Sequence, residues 1–284
     1  MRLLIYCAHP AQYHFYKNII IRLNSKGHIV KLLIKSKDIL ETLVKEDGLE
    51  YKNILPEPRG NSALSLFYSL IKREVRILKA ALKFKPDLLI GSDASVTHVG
   101  WLLRKPRIIV GEDDYHIVKV HNWLMMPFVT AILAPTVCNL GPFEKKKIGF
   151  NGYLKSSYLH PDVFQPEYNI VKEAGLNEPF CLIRSVGLSA HHDKGMKGLN
   201  PAIILTLITK LISSGFHVYL DSEDELPPEL IQYRSEIKKT MMHHIMAFAA
   251  LVISDSQSMS VEASLLGVPS IRFNDFSGKI SVLE

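Results

Sequence analysis

The stretch LVISDSQSMSVEASLLGVPSIRFN, Leu251 to Asn274, reads as strand, polar turn, helix and strand. Leu251-Val252-Ile253 is a short apolar run with two β-branched residues, suited to a buried parallel strand, and Asp255-Ser256-Gln257-Ser258 supplies turn and capping residues. A helix is predicted from there. Val261, Leu265 and Leu266 lie on its apolar side, Gly267 ends it and Pro269 bars its continuation, before Ser270-Ile271-Arg272-Phe273 resumes a strand. The first amides of such a helix have no acceptor one turn back, and its dipole is positive at Ser258, Met259 and Ser260, so the unit suits a diphosphate. Glu262, about one turn further in, is placed to accept hydrogen bonds from ribose hydroxyls. The plainer alternative is one more βαβ unit, with Glu262 a solvated helix residue.

The same alternation extends outward in both directions. Strands are predicted at 2–8, 28–34, 51–54, 88–90, 108–110, 131–134, 180–185 and 217–221. Helices are predicted from near His14, where Phe15, Ile19, Ile20 and Leu23 share a face, and at 38–44, 63–84, 201–214 and 241–250. Strand-helix alternation of this kind marks a doubly wound parallel sheet. Residues 151–179, with Gly152, Pro161, Pro166, Gly175 and Pro179, read as a linker. The expected organisation is a first α/β domain at 1–150 and a second at 180–284.

A chain of 284 residues, 47% hydrophobic and 22% charged, can bury two cores and is not disordered. Its net charge of +6 favours anionic partners such as nucleotide-sugars or phospholipid headgroups. No aromatic-interleaved basic block stands out, so no nucleic-acid partner is expected. Three cysteines, Cys7, Cys138 and Cys181, all beside apolar runs, read as buried reduced thiols of a cytoplasmic protein. The basic residues of the 63–84 helix (Lys72, Arg73, Arg76, Lys79, Lys83) read as a solvent face. WLMMPFVTAILAP, from Trp123, is the most apolar stretch, but Pro127 interrupts it and it is too short for a span. It reads as a buried helix and a strand; the alternative is an apolar face resting on the inner surface of a membrane, beside Lys145-Lys146-Lys147, a charge run whose plainer reading is a solvated one.

In doubly wound sheets ligands gather at the carboxyl ends of the strands. His9 and His14 follow the first strand, Asp93 the fourth, and Glu112 and Asp113 the fifth. Convergent carboxylates beside His9 or His116 are what general-base work requires; the alternative is helix capping by Asp93 or Asp114. In the second domain, Arg184 and the turn at 186–197, with Ser189, His191, His192, Asp193, Lys194 and Lys197, are candidates to clamp a diphosphate together with Ser256 and the helix start. No further spaced ligands accompany the histidines, so neither a metal nor another cofactor is expected.

Asp255, Ser256, Glu262, Leu266, Gly267 and Pro269 resemble the donor-nucleotide segment of GT-B glycosyltransferases and of UDP-N-acetylglucosamine 2-epimerases. His9, Pro10, His14, Phe15 and Asn18, with Tyr158-Leu159-His160-Pro161 and Phe164-Gln165-Pro166, resemble an uncharacterised family of GT-B enzymes. The epimerases carry Gly-Gly where this chain has Gln257-Ser258. The resemblance implies two Rossmann-like domains facing a cleft, with the diphosphate at Ser258, Met259 and Ser260, the ribose on Glu262 and an arginine at Arg184. It implies acidic site residues at Asp93 and Glu112. GT-B proteins finish with helices for which this sequence has no counterpart. The expected activity is glycosyl transfer from a UDP-linked sugar in cell-surface polysaccharide or glycoconjugate synthesis, to an acceptor that includes lipid-linked ones. Epimerisation of the sugar nucleotide is the alternative, and non-catalytic binding of the nucleotide-sugar a third reading.

Overall fold

The computed structural model describes residues 1–37, 39–57, 63–185, 198–223, 225–275 and 280–283, with the backbone alone at 63, 64, 66, 67 and 283. The chain divides into two compact units, Met1–Tyr158 and Leu159–Glu284.

In the first unit, β1 (Arg2–Cys7), β2 (Ile29–Lys35), β3 (Tyr51–Leu55), β4 (Leu88–Gly91), β5 (Arg107–Val110), β6 (Ala131–Pro135) and β7 (Lys147–Phe150) form one parallel sheet. The order is β3-β2-β1-β4-β5-β6-β7, which reverses direction between β1 and β4. β1 is buried from Leu3 to Cys7, as a central strand covered on both faces must be. Its helices are α1 (Pro10–Ser25), α2 (Leu40–Glu46), α3 (Ala63–Phe84), α4 (Ala94–Leu102) and α5 (Lys119–Met125).

Four local expectations are corrected. α1 starts at Pro10, not near His14, because His9 is its N-cap and a proline at the first helical position loses no hydrogen bond. Arg73 is not solvated: it shares the inward stripe of α3 with Ile77, Ala80 and Phe84 and is buried. The helix expected to be buried, α5, buries only Asn122 and Met125 and turns Val120, Trp123 and Leu124 to solvent. The lysine run is not merely solvated, since Lys147 opens edge strand β7 and Lys146 Nζ donates to the carbonyls of Met126, Pro127 and Val129.

Residues 151–179 carry two short helices, α6 (Ser156–Leu159) and α7 (Tyr168–Glu173). The second unit has β8 (Phe180–Ser185), β9 (His217–Ser222), β10 (Leu251–Ser254) and β11 (Ser270–Arg272), parallel in the order β11-β10-β8-β9. With them go α8 (Pro201–Ser213), α9 (Pro228–Ile231), α10 (Met242–Met246) and α11 (Gln257–Leu265). Direction reverses between β8 and β10. The methionines of α10 lie in the core with Phe180, Leu182, Val252 and Ala263. α11 ends as its sequence predicts, at Gly267 in the left-handed region with φ +79°.

Candidate functional site

Doubly wound sheets open a crevice where strand order reverses, and both units place predicted residues there. In the first, Tyr6 of β1 pairs in register with Gly91 of β4, and Gly91 with Ile109 of β5. His9, Asp93 and Glu112 therefore leave one sheet edge within two or three residues of that row. Ser92 stitches the edge together: its hydroxyl donates to Val110 O at 2.5 Å and lies 3.3 Å from Tyr16 Oη.

The carboxylates differ in what they hold. Asp93 caps α4, accepting from the amide and hydroxyl of Ser95, and pairs with Arg73 at 3.1 Å. Burial alone would push its carboxyl up, but the Arg73 guanidinium and the Ser95 hydrogen bonds outweigh that and hold it below the usual carboxylate range. Tyr6 lies against the same pair, its phenol pushed up chiefly by burial and then by Asp93. Glu112 is different: Oε1 takes the Nζ of Lys155, and Oε2 is buried with no hydrogen-bond partner among the described residues. Asp113 is exposed, whereas Asp114 is buried and accepts the Asn139 amide at 2.6 Å. The Cys138 thiol donates to Glu112 O and is pushed up to about 12 by burial and then by Asp114, Glu112 and Asp113, which leaves it protonated and unreactive.

His9 Nδ1 accepts the Ala11 amide at 3.2 Å, so His9 caps α1. His14 lies 5.3 Å, centroid to centroid, from the ring of Tyr158, and Asn18 Nδ2 donates to Ser157 O at 2.9 Å. Tyr158, the first residue of the second family-like motif, thus meets His14 of the first within the first unit.

In the second unit, Ser254 of β10 is in register with Arg184 of β8 and Arg272 of β11. Asp255 Oδ2 accepts the Leu199 amide at 3.1 Å and Asn274 Nδ2 donates to Asp255 O, which pins the turn. Ser256 caps α11 through Met259 N, and Ser260 N bonds to Ser256 O, so these two amides are engaged within the helix start. The amides of Gln257 and Ser258 are those that the helix geometry leaves without an acceptor one turn back. Glu262 is not a solvated residue: it is 7% exposed, with His243 Nε2 3.4 Å from Oε2. Arg184 is buried and binds Asp221 at 2.5 Å and Glu223, so its positive charge is already met by two carboxylates. Ser189, His191, His192, Asp193, Lys194 and Lys197 lie outside the described residues. Among the described residues no cluster of His, Cys, Asp and Glu could hold a metal ion.

Sequence reasoning missed Arg73, Lys155 and His243. Arg73 was legible in its spacing with Ile77, Ala80 and Phe84. His243 had only its position before β10, and Lys155 had no signal at all. His244 Nδ1 accepts the Glu167 amide at 3.1 Å and its ring lies 4.8 Å from Phe164, a structural contact.

No family model matches the chain, and no curated protein matches it in sequence. In fold it is similar to UDP-GlcNAc 2-epimerase from Neisseria meningitidis bound to UDP-GlcNAc, with 14% identity and a TM-score of 0.68 over 96% of this chain and 82% of that one. The UDP-GlcNAc 2-epimerase of Methanocaldococcus jannaschii gives 15% identity and 0.70 over 96% and 83%. Spinosyn rhamnosyltransferase SpnG complexed with spinosyn aglycone gives 14% and 0.58 over 96% and 80%. At such identity the likeness carries the fold: the chain has the GT-B-like fold of these epimerases and this glycosyltransferase, in two parallel-sheet α/β units.

Proposed function

We propose that this chain is a nucleotide-sugar enzyme that transfers the sugar of a UDP-linked donor to an acceptor hydroxyl. The observation that carries the reading is the β10–α11 unit at a strand-order reversal, with a pinned turn, two first amides that helix geometry leaves without an acceptor one turn back and the buried carboxylate of Glu262. The Gln257 and Ser258 amides bind the diphosphate and Glu262 the ribose, while Arg184, held by Asp221 and Glu223, orders the neighbouring strand ends. Fold likeness to proteins solved with UDP-GlcNAc and with a glycosyl acceptor supports this assignment.

Glu112 is assigned as the general base. Its Oε2 is a buried carboxylate oxygen without a hydrogen bond among the described residues, whereas Asp93 already holds Arg73 and Ser95 and serves as a positioning residue. One base is enough to deprotonate an acceptor hydroxyl. Inverting a sugar carbon calls for proton handling on both of its faces, which favours transfer over epimerisation. Epimerisation is the second reading, and the two epimerase likenesses favour it.

The two are separated with UDP-GlcNAc alone in deuterated water, followed by NMR. Transfer predicts no deuterium at the second carbon of the sugar, with slow release of UDP as water substitutes for the acceptor. That release should fall by about 100-fold in Glu112→Gln, the scale of a lost general base. Deuterium at that carbon would replace transfer with epimerisation, and unchanged release in the variant would remove Glu112 from the chemistry.

A further inference from the structure

Both tryptophans of the chain stand on one face of the first unit. Trp101, near the end of α4, is 57% exposed and Trp123, on α5, is 64% exposed. Val120, Trp123 and Leu124 are spaced i, i+3, i+4, which makes them one stripe of α5, and Val120 is 75% exposed. Leu102 beside Trp101 and Ile71 on α3 also face solvent. Single exposed leucines are ordinary; two tryptophans and a valine left in water on one face are not.

These side chains belong to one packed surface. His98 of α4 reaches Glu74 of α3 at 2.5 Å through Nδ1 and Leu124 O of α5 at 2.9 Å through Nε2. The Phe128 ring stands edge-on to both His98, at 4.7 Å, and Trp101, at 5.6 Å. Three helices are thereby tied side by side at the centre of the exposed apolar residues.

The three helices of this face carry mostly positive charge. Segments 63–84, 94–105 and 115–128 contain five, two and one Lys or Arg respectively, eight in all, against the single acid Glu74. Lys72 and Arg76 are paired with Glu57, and Arg73 is turned inward to Asp93. Lys79, Arg104, Lys105 and Lys119 remain to give the face its positive field. A second copy of the chain is a poor occupant, because pairing the face with itself would set like charges against each other. An anionic bilayer suits it, since it accepts tryptophan rings at the headgroup level and attracts lysine and arginine around them.

We propose that the α3–α4–α5 face docks on a membrane surface bearing anionic lipids, with Trp101 and Trp123 entering the headgroup region. Asp93 caps α4, and α5 follows the β5 turn that carries Glu112, so docking would bring lipid-borne molecules to the carboxylate edge. The inference does not rest on the proposed reaction.

Because the chain has no other tryptophan, its own fluorescence reports the event. Vesicles of phosphatidylglycerol and phosphatidylcholine should shift the emission to the blue, and brominated acyl chains should quench it; phosphatidylcholine vesicles alone should do so weakly. In vesicle sedimentation, the double variant Trp101→Ser, Trp123→Ser should bind about ten-fold more weakly or worse, as expected from losing buried aromatic area. Lys105→Glu with Lys119→Glu, which leaves both fluorophores, should lose the preference for anionic vesicles. An unshifted emission with equal sedimentation of all proteins would overturn the proposal. So would a dimer in sedimentation velocity that the tryptophan variant abolishes, because the face would then be a contact between copies.

Discussion

Asp93 and Glu112 leave neighbouring strands in much the same way, yet their partners make them different groups. Asp93 is held ionised by Arg73 against the pull of burial, so its depressed pKa adds stability that is present above the ordinary carboxylate value and is lost as pH falls through the folded value. Replacing Arg73 by Met reverses the sign. A buried carboxylate without its cation has a raised pKa, and its cost grows as pH rises. Arg73→Met should therefore lower unfolding stability by about 3 kcal/mol near neutral pH, with the gap to the parent closing toward pH ~4. Urea denaturation at the two pH values checks this, and a gap independent of pH would contradict it. Asp93 is legible in the sequence as a carboxylate at a strand end, but its cation is hard to see. Arg73 sits in a helix with five basic residues, and only the apolar spacing of its neighbours separates it from the solvated ones.

At the scale of elements, the parallel strands are readable because short apolar runs rich in β-branched residues, such as Leu251-Val252-Ile253, have few other uses in a chain that also carries helical spacing. Cap and edge features are less so. His9 caps α1 although histidine is an unusual N-cap, and edge strand β7 starts at Lys147, the last residue of a lysine run. The start of α11 is the clearest case, where Ser256 combines N-cap chemistry with the turn after β10. Ser256→Ala should cost about 1 kcal/mol in unfolding stability, and Ser256→Gly only a few tenths. Calorimetric unfolding of the three proteins tests it; an alanine variant as stable as the parent would mean that the cap is not what sets the helix start. α5 was misread for a physical reason, since composition records how apolar a helix is and not whether anything covers it.

For the whole molecule, two strand-order reversals put the candidate residues at sheet edges, and that much follows from strand-helix alternation. What alternation does not reveal is which residues the neighbours already occupy. Arg184 and Asp93 are bound by partners from other elements, whereas among the described residues Glu112 retains an unbonded oxygen, and helix geometry leaves the first amides of α11 without an acceptor one turn back. The account therefore stands most directly on nucleotide binding by the second unit. Titration calorimetry of the full chain with UDP should give one site, and Glu262→Ala should weaken it by about ten-fold or more, the scale of a lost hydrogen bond to a charged acceptor. Equal affinity of the two proteins for UDP, or no binding by either, would contradict it.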